Sequence, residues 1–124
     1  MFIEIDPTLP QAIYQQIAQQ IRFAIANEAF RANELIPSVR ELAKMLALNP
    51  NTVSNAFREL QDQGLVYPRR GMGLAVAENA AEKCRADRLE HFQQRFRQLF
   101  AEAARSGLER EEIETLSELG FSQD

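Results

Sequence analysis

The stretch "LALNPNTVSNAFREL", residues 46–60, limits the fold more than any other part of the chain: a proline falls near its middle while the surrounding apolar residues keep helical spacing. Inside a helix a proline removes a hydrogen bond and clashes with the preceding turn, costing about 3 kcal/mol. At the first helical position the missing N–H has no partner to lose, and the fixed φ is already helical. Asn49, directly before it, is a good N-cap. Pro50 is therefore predicted to start a helix, with "LALN" as the turn after the previous one. Val53, Ala56, Phe57 and Leu60 then repeat at helical spacing, and Gly64 is suited to the left-handed conformation just past the end.

The preceding helix is short. Pro37 and Ser38 open it, Ser38 and Glu41 stand at the capping-box spacing S-x-x-E, and Val39, Leu42, Ala43 and Leu46 form its buried face. Two capped helices joined by a turn of three or four residues make a helix-turn-helix, whose second helix enters the DNA major groove with its N-terminal residues at base edges. On that helix Asn49, Asn51, Thr52, Ser54, Asn55 and Arg58 fall on or near the face away from Val53, Phe57 and Leu60. Asn pairs bidentately with adenine, and Thr and Ser serve bases or phosphates. The alternative is that Asn49 and Thr52 only cap while the others are a solvated face.

The next segment supplies context. "LVY", "PRRGMG" and "LAVA" read as two short strands around a Pro/Gly turn, which is a wing after a helix-turn-helix. Arg69 and Arg70, beside Gly71 and Gly73, are predicted at its tip, within reach of phosphates or a narrow minor groove. Paired arginines in an exposed turn are otherwise only solvated charges. Upstream, Pro10 fits a first helical position, and Ile13, Ile17, Ile21, Ala24 and Ile25 give an apolar stripe through about Glu28.

Charge agrees once it is divided along the chain. The total is −4, but residues 1–37, 38–77 and 78–124 carry −2, +2 and −4. Only the middle segment is basic, and phosphate attraction depends on the field within a Debye length of about 10 Å.

The order of these motifs resembles the winged helix-turn-helix domain of GntR-type bacterial transcription regulators, from residue 10 to residue 77. P-S-V-R-E-L-A, N-P-N-T-V, E-L-x-x-x-G-L-V and R-G-x-G stand in the family's order and spacing, and "LNPNTV" with a short C-terminal tail is similar to the YtrA subfamily. The resemblance implies that Ser38 bonds phosphate and Arg40 a phosphate or base. It implies that Asn49, Asn51, Thr52, Ser54 and Asn55 line the groove, with Arg70 and Gly71 as the wing tip. It also implies repression of an operon holding the protein's own gene and those of an ABC transporter. Two features depart from the family: Glu28 and Asn33 replace glycines in the loop after the first helix, and Leu74-Ala75 replaces Thr-Phe after the wing glycine. Asn33 tolerates a left-handed backbone, and Glu28, a helix former, is expected to lengthen the first helix slightly. Without the aromatic ring the wing strand is expected to pack more loosely.

From about Ala80 to Arg105 no proline or glycine intervenes, and Leu89, Phe92, Phe96, Leu99 and Ala103, with Phe100 beside them, keep spacings of three and four. "SGL" ends this helix. "EREEIETLSELGF" then forms another, with Ile113, Leu116 and Leu119 on one side, acidic residues in its first turn and Gly120 as its stop. Two helices cannot bury those phenylalanines by themselves: they fold onto the winged domain or pair with a second copy. Symmetric operators make a two-fold homodimer the stronger expectation.

The expected architecture is mainly α: a winged helix-turn-helix DNA-binding domain over residues 1–77 and a two-helix dimerisation or regulatory segment over 78–124. The expected partner is double-stranded DNA with a palindromic operator, its half-sites about one helical turn or roughly 34 Å apart. The alternative is a protein-interaction module that uses the scaffold without specific DNA binding. The roughly 45 C-terminal residues are too few to enclose a typical pocket of about 300 Å³ in one subunit, so an unknown small-molecule effector would need the dimer interface. Cys84 and His91, seven apart, lack a third ligand, so no metal site and no cofactor are expected. No nucleophile with a paired base and no phosphate-binding glycine loop is present, so catalysis is not expected. One cysteine, a start without basic or long apolar character and no membrane span point to the cytoplasm.

Overall fold

The computed structural model describes residues 3–122, and among these it holds five helices and two strands. α1 is Ile13–Ala26, α2 Val39–Leu46, α3 Pro50–Asp62, β1 Val66–Arg69, β2 Gly73–Val76, α4 Ala80–Arg105 and α5 Arg110–Leu119. They form two compact units, one ending at Arg88 and the other beginning at Leu89, so the packing boundary falls within α4.

In the first unit α1, α2 and α3 surround a core of Ile17, Ile21, Ile25, Leu42, Val53 and Leu60, each fully buried. Burying one such side chain contributes about 1.5–3 kcal/mol, so this cluster holds the three helices together. The helical spacing of α3 places Val53, Ala56, Phe57 and Leu60 inward as predicted. In α2, Leu42 and Ala43 are buried, while Val39 and Leu46 pack against the core partly exposed.

α1 starts at Ile13, later than the Pro10 reading places it, and Ile13 is exposed rather than part of the packed stripe. The reason is a long-range bond pattern. The chain before the helix folds back along it: Asp6 N–H donates to Gln16 Oε1 at 2.9 Å, and Gln16 Nε2 donates to the carbonyls of Asp6 and Gln11, each at 3.0 Å. Gln20 repeats the device, its amide pairing with both the N–H and the carbonyl of Glu4. Gln16 is 4% exposed and its amide is satisfied, which makes its burial tolerable. The Gln15 side chain, not a proline, serves the helix start by accepting the Ala12 N–H.

Glu28 does not lengthen α1. The helix ends at Ala26, and Glu28 has φ +58°, the left-handed region. Asn33 takes the same region at φ +68°, as predicted, and its Oδ1 accepts the Tyr67 hydroxyl at 2.8 Å. A left-handed backbone costs a side chain with no local compensation about 1–2 kcal/mol. Glu28→Gly is thus expected to raise stability by about 0.5–1 kcal/mol once the freer unfolded chain is counted. Asn33→Gly should gain less because it forfeits the Tyr67 bond. Urea denaturation of the two variants beside the parent checks the order.

β1 and β2 pair antiparallel from Val66↔Val76 to Arg69↔Gly73, which leaves Arg70, Gly71 and Met72 as the connecting turn. The ladder reaches further toward the tip than "LVY" and "LAVA" predict, taking in Pro68, Arg69 and Gly73. On the other edge of β2 the segment after α1 adds bonds: Asn33 N–H to Val76 C=O, Val76 N–H to Glu34 C=O, and Ile36 N–H to Leu74 C=O. Ala75, where the resemblance implies an aromatic residue, is fully buried.

α4 begins at Ala80, as its sequence predicts, with Ala80 and Cys84 buried in the first unit's core. Loss of hydration at this position pushes the Cys84 thiol above its ordinary pKa, keeping it a protonated, apolar packing group. In the second unit the rest of α4 and α5 form a helical hairpin, turned at Gly107 with φ +105°. Glu112 reaches back to the Glu109 N–H at the start of α5, which ends before Gly120 without a left-handed residue there. No described residue from Leu89 onward is buried.

Candidate nucleic-acid interface

The two capped helix starts define this surface. Ser38 Oγ accepts the Glu41 N–H at 3.0 Å, and Glu41 Oε1 accepts the Ser38 N–H at 3.1 Å, completing the capping box. The Ser38 backbone N–H, and then its hydroxyl, hold the Glu41 carboxyl below its ordinary pKa. The stability it contributes is present at neutral pH and lost as the pH falls through that lowered value. Ser38 is exposed at the start of α2.

α2 closes on Ala47 in the left-handed conformation at φ +54°. Asn49 then caps α3, its Oδ1 accepting the Asn51 N–H at 2.9 Å, and Pro50 is the first helical residue. With the cap made by Oδ1, the Asn49 amide N–H₂ remains a donor. Asn51 and Asn55, four apart and one turn from each other, are both exposed, while Thr52 and Ser54 are half-buried at the flanks. Arg58, also exposed, donates to Asn55 Oδ1 at 3.3 Å, tying the C-terminal reader candidate to a cation.

The structure brings Arg40 beside the start of α3. Arg40, Lys44, Leu48 and Pro50 line one shallow groove with Val39 and Ala43. Lys44 is the residue that the sequence reading missed. Its position four after Arg40, on the exposed side of α2, was the available signal.

The two wing arginines part company. Arg70 and Gly71 are in the exposed turn, with φ +74° at Gly71. Arg69 belongs to the last ladder pair, and its Nη1 donates to the Asn33 carbonyl at 2.9 Å, so it braces the wing against the loop after α1. Met72, 61% exposed, shares the turn and was not singled out from the sequence.

This succession of elements is matched by the family model described as bacterial regulatory proteins, gntR family, over residues 13–76. The chain belongs to the gntR family.

Within the family, it is 35% identical over 111 residues to the HTH-type transcriptional repressor YtrA of Bacillus subtilis (strain 168), an alignment covering 90% of this chain and 85% of that protein. The fold is similar to a GntR family transcriptional regulator from Listeria monocytogenes, with TM-score 0.75 and 28% identity over 92% of this chain and 97% of that one. AraR(DBD) in complex with operator ORE1 is similar at TM-score 0.53 and 25% identity, covering 62% of this chain and 94% of that chain. The expectation of a mainly α winged helix-turn-helix protein of the GntR family, YtrA type, is met, and the relatives are transcription regulators rather than enzymes.

On the second unit, Phe96, Leu99, Phe100, Ala103, Ile113 and Leu116, six of the predicted dimerisation residues, line one open groove of about 470 Å³ together with Leu108. Phe96 is 57% exposed and Leu116 55%. Leu89 and Phe92 lie on the same unit outside that lining, Leu89 at 74% exposure. Among the described residues no group of three or more His, Cys, Asp or Glu is arranged to hold a metal ion. No described helix is long and apolar enough to cross a membrane.

Proposed function

We propose that this GntR-family regulator is a cytoplasmic, homodimeric repressor that reads a palindromic operator in double-stranded DNA. The observation that carries the reading is the start of α3: a capped helix whose exposed Asn51 and Asn55 stand one turn apart, next to the Arg40–Lys44 side of α2. In the proposed complex Asn51 and Asn55 meet base edges, with Thr52 and Ser54 beside them and Asn49 at the rim. Ser38, Arg40, Lys44 and Arg58 hold phosphates on either side of α3, and Arg70 with Gly71 approaches the backbone at the wing, steadied by Arg69. AraR(DBD), similar in fold, is seen with an operator, which supports this placement.

The functional division proposed is a reading domain over 1–77 and an assembly segment over 78–124. The apolar surface of the second unit, from Leu89 and Phe92 to Leu116, is the proposed two-fold interface, since it has no buried residue of its own. The groove there would also be the place for a small-molecule effector. Control of an operon containing its own gene and an ABC transporter is proposed from the YtrA resemblance.

Selection of bound sites from random DNA by the purified protein tests the reading. A palindromic consensus supports it; enrichment of no sequence favours a protein-interaction module instead. Asn51→Ala or Asn55→Ala should cost about 1–3 kcal/mol at one position in each half-site, with the other positions unaffected. Arg70→Ala should weaken every sequence alike. Binding titrations against all single-base variants of the consensus separate the two patterns, and identical behaviour of both classes would remove the division into readers and anchors.

A further inference from the structure

α1 and α3 both lack a basic residue in their last turn, so neither helix supplies a cation to its own C-terminal carbonyls. The first turns of α4 provide them. Lys83 Nζ donates to the Gln63 carbonyl at the end of α3 at 2.9 Å. Arg85 Nη1 donates to the Ala26 carbonyl at the end of α1 at 3.1 Å, and Arg88 Nη1 to Asn27 Oδ1 at 2.7 Å. Arg22 closes the circuit between α1 and α3 through Glu59 at 3.4 Å and Gln63 Oε1 at 3.1 Å.

The placement around α4 makes this more than surface pairing. Ala80 and Cys84 form the buried stripe. Lys83 and Arg85, one residue either side of Cys84, project about 100° to its left and right at about 3.6 residues per turn. A helix seated on two small residues can pivot about them. Cations fastened on opposite flanks, to two different helix ends, remove that freedom. One of those ends belongs to α3.

We infer that Lys83, Arg85 and Arg88 are positioning residues that fasten the first turns of α4 to the ends of α3 and α1 in the reading unit and thereby set which separation of operator half-sites the protein accepts. This rests on the dimeric reading proposed above. With the proposed interface beyond Leu89 and the clamp before it, fixing the direction in which α4 leaves the reading unit narrows the half-site spacings that two joined copies accept. Each inserted base pair turns the second half-site by about a tenth of a turn, away from the direction that the clamp sets.

The test measures binding to palindromes whose central spacer is lengthened or shortened by one and two base pairs, and to a single half-site. The parent should favour one spacing by about tenfold or more, because avidity is lost where geometry forbids double engagement. Lys83→Gln with Arg85→Gln and Arg88→Gln should bring the spacings within about threefold, with half-site affinity unchanged. Arg88→Gln and Asn27→Ala remove one bond from opposite ends, and each should relax spacing in part even if the triple variant folds poorly. Unchanged spacing preference in all three variants overturns the inference while leaving the dimeric reader intact. A parent with no spacing preference overturns the inference as well, whereas a palindrome bound no more tightly than a single half-site removes the dimeric reading.

Discussion

Raising monovalent salt from about 50 to about 200 mM should weaken operator binding by about 10³ or more, given six phosphate contacts in the complex. Each neutralised phosphate releases condensed counterions, so the logarithm of affinity falls with the logarithm of salt by about 0.9 per contact. Arg40, Lys44, Arg58 and Arg70 supply four cations per copy in the segment that carries +2, and a dimer doubles them. Six contacts is thus a conservative number. The net charge of −4 does not oppose this, because the acidic excess lies in the other two segments and is screened over about 10 Å at 0.1 M salt. Titrations at several salt concentrations give the slope directly. A flat response would mean that phosphates are not the partner, and the DNA reading would fall with it.

The second large effect is expected at the apolar face of the hairpin. Phe96→Asp combined with Leu116→Asp should convert a dimer to monomers and lower affinity for the full operator by about 10² to 10⁴, the range that linked double engagement provides. Binding to one half-site should remain, since both residues are in the unit beyond Leu89 and the reading helix is in the other. Phe96 and Leu116 are both more than half exposed in the single chain, so the loss of their apolar contacts falls mainly on the proposed interface. Sedimentation of the variant and the parent gives the oligomeric state beside the titration. A variant that stays dimeric and binds the operator as before would place the interface elsewhere.

Both effects depend on features of unequal visibility in the sequence. The beginnings of α2 and α3 were legible because a cap is a contact over two or three residues: Ser38 with Glu41, Asn49 with Asn51. The inward faces of α3 and most of α1 followed from helical spacing. The wing was legible as a turn flanked by apolar pairs, but its length was not, since nothing in "PRRGMG" says how far the ladder runs before the turn. Pro10 misled for a related reason. It would be an acceptable first helical residue, yet the amides of Gln16 and Gln20 hold the preceding chain against α1 and the helix starts at Ile13. Glu28 misled because helix propensity is weak beside the need to turn the chain toward β2.

Taken by itself, the sequence determined where α2 and α3 start and which side of α3 is apolar, and so which residues stand at its exposed head. Those are consequences of hydrogen-bonding and periodicity within a few residues. Only the tertiary structure decided how neighbouring charges are used. Arg69 and Arg70 are adjacent and chemically identical, yet one is drawn to the Asn33 carbonyl 36 residues away while the other occupies the turn. Lys83, Arg85 and Arg88 read as ordinary charges on a helix until the ends of α1 and α3, 20 to 61 residues away in the chain, are brought to meet them. A cation's role depends on which carbonyls folding leaves unpaired beside it, and that is a property of the packed core rather than of any stretch of chain.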